Sequence, residues 1–221
     1  MTRTRFALSL ILVAACSVQT ATSSTTTGTV GATGTGVSTT FTLPGTEAPS
    51  IFEPGDVLGV IGVASGESLL LLSFPGESGE AVFELGPLED GLEALGTAWE
   101  IDGVPWERLL LAGHEGYLPR SMLAFIGEHV DVSAQFVEMT FGSVTELGRE
   151  IAGEIEAEQM ILIARPSPLE NVYDVIGLGD DSIAGYRIRV VAREISGGYA
   201  PDLVHRSPLC ARGVTETGLC L

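Results

Sequence analysis

Histidine, serine and glycine, which build many catalytic sites, are scattered along this chain of 221 residues. The three histidines, His114, His129 and His205, lie far apart, and the sequence has neither a His-Glu-x-x-His pattern nor a glycine-rich phosphate loop. In Gly62–Gly66 (GVASG) the serine stands one place away from the position it takes in a nucleophile elbow. The sequence contains no lysine, which excludes lysine Schiff bases and a P-loop lysine. We therefore expect no enzyme, no catalytic residue and no cofactor.

Clustered carboxylates are the second group of residues that could do chemistry. Glu154, Glu156 and Glu158 lie at the end of the helix predicted to begin near Ser143, and we expect them to form its solvated face. The pair Asp180-Asp181 lies between two predicted strands and is typical of a hairpin turn. One Asp-Asp pair supplies too few of the six to eight oxygens that calcium takes. We predict no metal site at either place.

A short apolar run, Phe6–Ala15, follows Arg3 and Arg5 and ends in the tetrapeptide VAAC at Cys16. The run has the length of a secretory signal and is shorter than the ~20 residues that span a bilayer. The pattern resembles the lipobox of bacterial lipoproteins. That resemblance implies a signal peptide over residues 1–15, lipid attachment at Cys16, and an exported protein anchored to the cell membrane or cell surface. The alternative is an ordinary signal peptide cleaved before Cys16.

The remaining cysteines, Cys210 and Cys220, are ten residues apart. In an exported protein an even pair of this kind predicts a disulfide. A zinc site is the alternative, but no second cysteine pair or histidine pair accompanies them.

Charge restricts the partners of the mature chain. Without residues 1–15 it has 9 arginines against 29 acids, a net charge of −20. Such a field repels nucleic acid and anionic lipid head groups, so we predict no nucleic-acid partner. With 45% apolar residues the chain can still bury a core.

Composition divides the chain into segments. Between Ser17 and Thr40, 18 of 24 residues are Ser, Thr or Gly, which predicts a flexible tether over residues 16–50. From residue 51 to 127 short apolar runs alternate with Gly and Pro turns, among them Asp102-Gly103, a strong hairpin signal. Strands this short and frequent predict a small barrel or sandwich. Their expected bounds are Val57–Ala64, Leu69–Phe74, Ala81–Leu85, Gly91–Leu95, Val104–Leu111 and Glu115–Leu118.

Four stretches of this segment, Leu69–Gly76, Ile101–Trp106, Gly113–Leu118 and Ser121–Leu123, resemble a bacterial SH3-like domain. The family has a Gly-Trp pair where this chain has Gly116-Tyr117. The resemblance implies an SH3-like barrel over residues 51–127, with peptidoglycan peptides as ligands.

Four aromatic residues fall at or near the turns that flank the ligand groove of SH3-like barrels. We take them as the candidate binding groove; the alternative places Trp106 in the core. They are Phe74, Trp99, Trp106 and Tyr117.

Residues 128–221 have a different pattern of apolar and polar residues. Apolar residues alternate from Val130 to Phe136, which predicts a half-buried strand, and Ser143–Glu146 fits a capping box that opens an amphipathic helix. Three strand-like runs follow, Gln159–Arg165, Asn171–Gly179 and Gly185–Arg193. We predict an α+β domain with one helix packed on an antiparallel sheet. The fold class is therefore mainly β, a small SH3-like barrel followed by this domain.

Three further expectations concern the C-terminal domain and its junction with the first half. Arg187, Arg189 and Arg193 share one strand face and either pair with neighbouring acids or bind a ligand. The closing run, Ser207–Leu221, is similar to the tails of uncharacterised exported proteins of high-GC bacteria, a resemblance that implies no activity. Because no Ser/Gly/Pro-rich linker separates the halves near residue 127, we expect them to pack together and unfold together.

Three functions follow from these expectations. The first is a non-catalytic binding module of the cell envelope, whose ligand is an envelope protein or peptide. The second is a structural or accessory subunit without a groove ligand, and the third is a secreted hydrolase with an unrecognised site. An exposed groove from Phe74 to Tyr117 favours the first, a filled groove the second, and a deep polar cleft between the domains the third.

Overall fold

Antiparallel strands make up most of the computed structural model, which describes residues 45–76, 78–180 and 182–221. Within these ranges there are thirteen strands and one α-helix. The predicted signal peptide, Cys16 and most of the predicted tether lie outside the described residues. No helix in the described part of the chain has the length and apolar character needed to cross a membrane.

The first half of the described chain contributes eight strands. They are β1 Thr46–Ala48, β2 Val57–Val60, β3 Leu69–Leu72, β4 Ala81–Leu85, β5 Leu92–Ile101, β6 Val104–Leu111, β7 His114–Pro119 and β8 Leu123–Ile126.

The second half contributes the helix and five strands. They are β9 Val130–Asp131, α1 Val144–Gly153, β10 Gln159–Ser167, β11 Glu170–Ile176, β12 Ile183–Ile195 and β13 Gly198–Cys210.

Hydrogen bonding joins these strands into one antiparallel path, in the order β10-β11-β12-β13-β8-β2-β5-β6-β7-β3-β4. β1 adds to the edge of β5, and β9 adds to β13. The halves meet where β13 pairs with β8, with Leu209 opposite Ile126 and Cys210 opposite Phe125. The last strand of the chain therefore continues the sheet of the first half.

In the first half the sheet curls around its own core. Side chains from β2, β3, β4, β5, β6, β7 and β8 all contribute to one buried cluster, which includes Leu58, Leu71, Leu85, Leu109 and Leu123. Strands at opposite ends of a flat sheet could not share a cluster, so the sheet must bend. We call this part the curled sheet.

In the second half the helix covers one face of the sheet. Ser143 caps α1, its Oγ accepting the Glu146 N–H at 3.2 Å. Leu147 and Ile151 then pack against alternate residues of the strands beneath, such as Val190 and Val204. The prediction of a mainly β chain with one helix packed on an antiparallel sheet is confirmed. That the curled sheet is an SH3-like barrel stays a prediction.

Two local predictions need correction, and one strand had no prediction. The strand expected from Val130 to Phe136 ends at Asp131, because the Asp131 carboxylate accepts the N–H and hydroxyl of Ser133 and a 3-10 turn follows. Ordered structure begins before residue 51, since β1 pairs with β5 inside the predicted tether. β13 was not predicted at all.

Candidate functional site

Two tryptophans stand side by side on the curled sheet. Trp99 on β5 lies directly opposite Trp106 on β6, and the same row continues to Glu47 on β1 and Pro119 on β7. Both indoles are half-buried, and neither belongs to the buried core cluster. Because side chains alternate along a strand, this row lies on the face away from the core. We call Trp99, Trp106, Tyr117 and Pro119 the aromatic face.

Tyr117 extends the same face by one row. It pairs with Arg108, two residues from Trp106 on β6, and is 8% exposed. Burial raises the pKa of Tyr117, while the Arg108 charge and a hydrogen bond with the Trp99 side chain act in the opposite direction. Gly116 lets β3 approach here, because a Cβ at this position would lie 2.7 Å from the Leu72 carbonyl oxygen.

Phe74, the fourth residue of the predicted groove, lies in the turn after β3 and is half-buried. Two residues on, Gly76 has φ +93°, and a Cβ there would lie 3.2 Å from Cδ1 of Ile101 at the end of β5. The turn therefore packs against the end of the strand that bears Trp99. Both indoles of the aromatic face are half-buried and Tyr117 is buried, so the face is neither fully open nor fully filled.

A buried acid holds the strands under the aromatic face. Glu107, 1% exposed, points to the opposite side of β6, where Ser50 Oγ donates to it at 2.7 Å and Arg120 Nε at 2.6 Å. Arg120 also donates to the Pro49 carbonyl oxygen at 2.9 Å. These bonds tie the segment after β1 to the middle of the curled sheet and fix the row of Trp99 and Trp106.

A second candidate site is a cleft of about 420 Å³ between the two halves. Its floor is the face of β11, β12 and β13 that the helix does not cover, and its other wall comes from the β4–β5 connection and the end of β8. We call it the polar cleft. Its lining residues are Leu88, Asp90, Ile126, His129, Pro166, Glu170, Val172, Arg187, Arg189, His205 and Ser207.

Two histidines and a serine meet at one end of the polar cleft. The His129 Nδ1 is in hydrogen-bond contact with Ser207 Oγ, and the rings of His129 and His205 stack in parallel, with centroids 6.2 Å apart. A serine nucleophile needs a base that is itself oriented by a third group. Within the described residues no carboxylate hydrogen-bonds to His129, and Ser207 is almost fully buried. The contact lacks the orienting acid of a catalytic triad.

The three arginines predicted to share one strand face, Arg187, Arg189 and Arg193, lie in different surroundings. Arg187 is buried and donates to Asp174 through Nε at 2.8 Å and Nη2 at 3.0 Å. Arg189 donates through Nε to Glu170 Oε1 at 2.6 Å and stays partly exposed. Arg193 is exposed. For the first two positions the structure favours the interpretation that these cations pair with acids.

The Arg187–Asp174 pair also bridges the two halves. Arg187 Nη2 donates to the Val60 carbonyl oxygen at 2.7 Å, and Asp174 Oδ2 accepts the Gly62 N–H at 2.9 Å. Beside it, Ile61, Ala124 and Leu209 form a small apolar cluster from both halves. The junction combines an apolar centre with a buried ion pair, and the ion pair was not foreseen.

Cys210 and Cys220 form the predicted disulfide, with Cα atoms 5.1 Å apart. The loop that it closes supports the start of the second half, because the Gly218 carbonyl oxygen accepts the Glu128 N–H at 3.2 Å. His129 follows directly, so the disulfide loop helps to place one wall of the polar cleft. Within the described ranges no cluster of three or more His, Cys, Asp or Glu residues could hold a metal ion.

The carboxylate clusters do not form a site. α1 ends at Gly153, so Glu154 caps it and Glu156 and Glu158 lie in the exposed connection to β10; the prediction of a helix face is wrong for these two. Asp180 lies at the expected turn, and hydrogen bonds from Ser182 and Ile183 hold its pKa below the ordinary value. Asp181 is outside the described residues.

Sequence reasoning missed the polar cleft because it missed β13. Pro201 and Pro208 weaken the strand signal there, since proline donates no ladder hydrogen bond. A period-two pattern of His205, Ser207 and Leu209 was the available signal, and it becomes meaningful only beside Arg187 and Arg189 on β12.

No protein-family model, curated protein or solved structure matches the chain.

Proposed function

We propose that this protein is an exported lipoprotein of the cell envelope that acts as a non-catalytic binding module. Its SH3-like domain, residues 51–127, docks an envelope protein or peptide on the aromatic face. Lipid at Cys16 anchors it to the membrane, and no nucleic acid or cofactor takes part.

One observation carries the binding proposal: the cross-strand pair of half-buried indoles, Trp99 and Trp106, outside the core. Large aromatic side chains supply contact area at low entropic cost and dominate many recognition surfaces. Leu58 on β2 and Leu109 on β6, by contrast, are buried in the core.

Charge selects among peptide ligands. The segment from residue 51 to 127 holds Arg108 and Arg120 against 13 acids. A peptide that carries free carboxylates is repelled by this field, whereas a neutral or cationic peptide is not. Peptidoglycan stem peptides, the ligands implied by the SH3-like resemblance, should therefore bind better when their carboxyl groups are amidated.

The anchor proposal depends on the N-terminal sequence alone. Arg3, Arg5 and the apolar run Phe6–Ala15 lead to Cys16, as in a lipobox. A clickable palmitate analogue fed to a bacterial host should label the wild type and leave Cys16→Ala unlabelled. Equal labelling of both chains would remove the lipoprotein assignment.

The two alternatives keep specific observations in their favour. Tyr117 is buried and both indoles are half-buried, which suits a structural or accessory subunit. The polar cleft with its His129–Ser207 contact suits a hydrolase. We place binding first because the serine is buried and its histidine is not oriented by an acid within the described residues.

Tryptophan fluorescence tests the binding proposal directly, because Trp99 and Trp106 are the two tryptophans of the chain. Titration with a synthetic stem peptide should shift the emission, and the amidated form should act at lower concentration than the free acid. Trp106→Ala should weaken binding roughly tenfold or more while Trp99 still reports. Val137→Ala, at a side chain that is 68% exposed on the other half, is the control.

Two results would contradict this proposal. If neither the peptides nor an envelope extract shifts the emission, the structural alternative is favoured. Labelling of Ser207 by a fluorophosphonate probe, absent in Ser207→Ala, would favour the hydrolase.

A further inference from the structure

We propose that the polar cleft binds a short zwitterionic peptide with apolar side chains, of the size of a dipeptide, and does not hydrolyse it. This site is separate from the aromatic face and does not depend on the function proposed for that face.

Arg189 provides the seat for the ligand carboxylate. Its side chain is 46% exposed, and its hydrogen bond to Glu170 uses Nε. Among the described residues neither Nη group of Arg189 donates to an acceptor. A guanidinium with both Nη groups available offers the planar fork that matches a carboxylate.

Asp90 provides the seat for the ligand ammonium. It lies in the β4–β5 connection, on the wall opposite the sheet, and is exposed. No hydrogen bond or ion pair within the described residues engages its carboxylate. Glu170 adds a second oxygen, Oε2, since its Oε1 is taken by Arg189. Acceptors for an ammonium therefore lie in the same cleft as the free guanidinium fork.

The charges of the cleft disfavour an anionic ligand, and the presence of both the Arg189 fork and Asp90 distinguishes a zwitterion from a simple cation. Asp174 compensates Arg187, and Glu170 compensates Arg189, which leaves Asp90 as an uncompensated acid. A phosphate or a dicarboxylate would add negative charge to this site, which costs free energy. A zwitterion adds none and can satisfy both kinds of group.

The rest of the lining suits an apolar ligand body. Leu88, 42% exposed, faces the cleft together with Ile126, Pro166 and Val172. Apolar side chains beside convergent polar groups are found in many small-ligand pockets, and about 420 Å³ lies within their usual range. The imidazoles of His129 and His205 stand beside it and can donate to, or accept from, a peptide bond.

Calorimetric titration of the full chain with leucyl-leucine tests the proposal. We expect saturable one-to-one binding, and roughly tenfold or greater weakening when the amino group is acetylated or the carboxyl group is amidated. Arg189→Gln and Asp90→Asn should each weaken binding by a similar factor. Their matched controls are Arg193→Gln on the same strand and Asp202→Asn on β13, both at exposed positions. Thermal unfolding of each variant separates lost binding from lost fold.

Each possible result decides the matter. The proposal is overturned if Arg189→Gln and Arg193→Gln weaken binding equally, or if the blocked and unblocked peptides bind with equal affinity. It is also overturned if the titration gives no heat or if leucyl-leucine is cleaved. Trp106→Ala should bind leucyl-leucine as the wild type does. Loss of binding in that variant would place the peptide on the aromatic face instead, whereas failure of the stem-peptide titration would leave the cleft untouched.

Discussion

Asp174 on β11 accepts hydrogen bonds from both halves of the molecule. It is fully buried and receives Arg187 Nε and Nη2 from β12 and the Gly62 N–H from the segment after β2. Its charge is therefore compensated by a cation and by a backbone dipole from the other half. A buried carboxylate with these partners positions two elements at once, at the cost of its desolvation.

Replacing Asp174 with Asn should destabilise the protein by about 3–5 kcal/mol, because Arg187 would remain buried without a counter-charge. Chemical unfolding at neutral pH measures the loss. The exposed Asp202→Asn change removes the same charge and should stay within about 0.5 kcal/mol of the wild type. The double variant Asp174→Leu, Arg187→Met should recover only part of the stability, because the Val60 carbonyl oxygen and the Gly62 N–H lose these partners. An Asp174→Asn variant as stable as Asp202→Asn would show that the pair is not a structural support.

Two tyrosines give the protein a dependence on alkaline pH. Burial raises the pKa of Tyr117 and Tyr173 above 10.0, against smaller opposing effects of Arg108 on Tyr117 and of Arg149 on Tyr173. Because the folded state holds these protons more tightly, their contribution is complete below pH 10 and is lost as pH rises through the folded-state pKa. The unfolding midpoint should fall less steeply above pH 10 in Tyr117→Phe, Tyr173→Phe than in the wild type. Parallel curves would contradict the assignment.

At the scale of elements, local signals determined what the sequence could predict. α1 was foreseen because its cap, Ser143 with Glu146, and its apolar spacing lie within one short segment. β13 was not, because Pro201 and Pro208 argue locally against a strand. The ladder tolerates Pro201 where the register shifts between Val191 and Ala192. Only pairing on both sides, with β12 and β8, reveals that strand.

The candidate sites divide along the same line. The aromatic face could be anticipated because Trp99, Trp106 and Tyr117 are conspicuous residue types near a hairpin signal. The polar cleft combines Asp90, His129, Arg189 and Ser207 from separate elements. No spacing in the sequence relates these residues, since long-range strand pairing brings them together.

Loss of the Cys210–Cys220 disulfide should destabilise the protein beyond the loop itself. It closes eleven residues and supports Glu128 through the Gly218 carbonyl oxygen. The Cys210→Ala, Cys220→Ala variant should lose about 2–3 kcal/mol of unfolding free energy, the value expected for a loop of this size. Reduction of the wild type should produce the same shift in the urea midpoint. Identical midpoints for oxidised and reduced protein would show that the loop carries no stability.

At the scale of the whole molecule, the two halves are joined by strand pairing, by a common apolar cluster and by the hydrogen bonds of a buried ion pair. β13 pairs with β8, Ile61 and Leu209 share an apolar cluster, and the Asp174–Arg187 pair is bonded to Val60 and Gly62. Opening the junction would expose the apolar cluster of Ile61, Ala124 and Leu209 to water and exchange the hydrogen bonds of the ion pair to Val60 and Gly62 for bonds to water. Exposure of apolar surface costs ~25 cal/mol per Å², and each hydrogen bond contributes about 0.5–1.5 kcal/mol net, so separation of intact halves is disfavoured.

We therefore expect one cooperative unfolding transition rather than two. Gly127, at the boundary between the halves, is buried, and its N–H donates to the Pro208 carbonyl oxygen at 2.8 Å. A protease needs an extended, accessible segment, so cleavage near residue 127 should be slow under native conditions.

Calorimetry should give a single peak with equal calorimetric and van't Hoff enthalpies. Asp174→Asn should lower that peak without splitting it, because the β8–β13 ladder and the apolar cluster persist. Two resolved peaks, or rapid cleavage at residue 127 into two resistant fragments, would show that the halves fold independently despite their shared sheet.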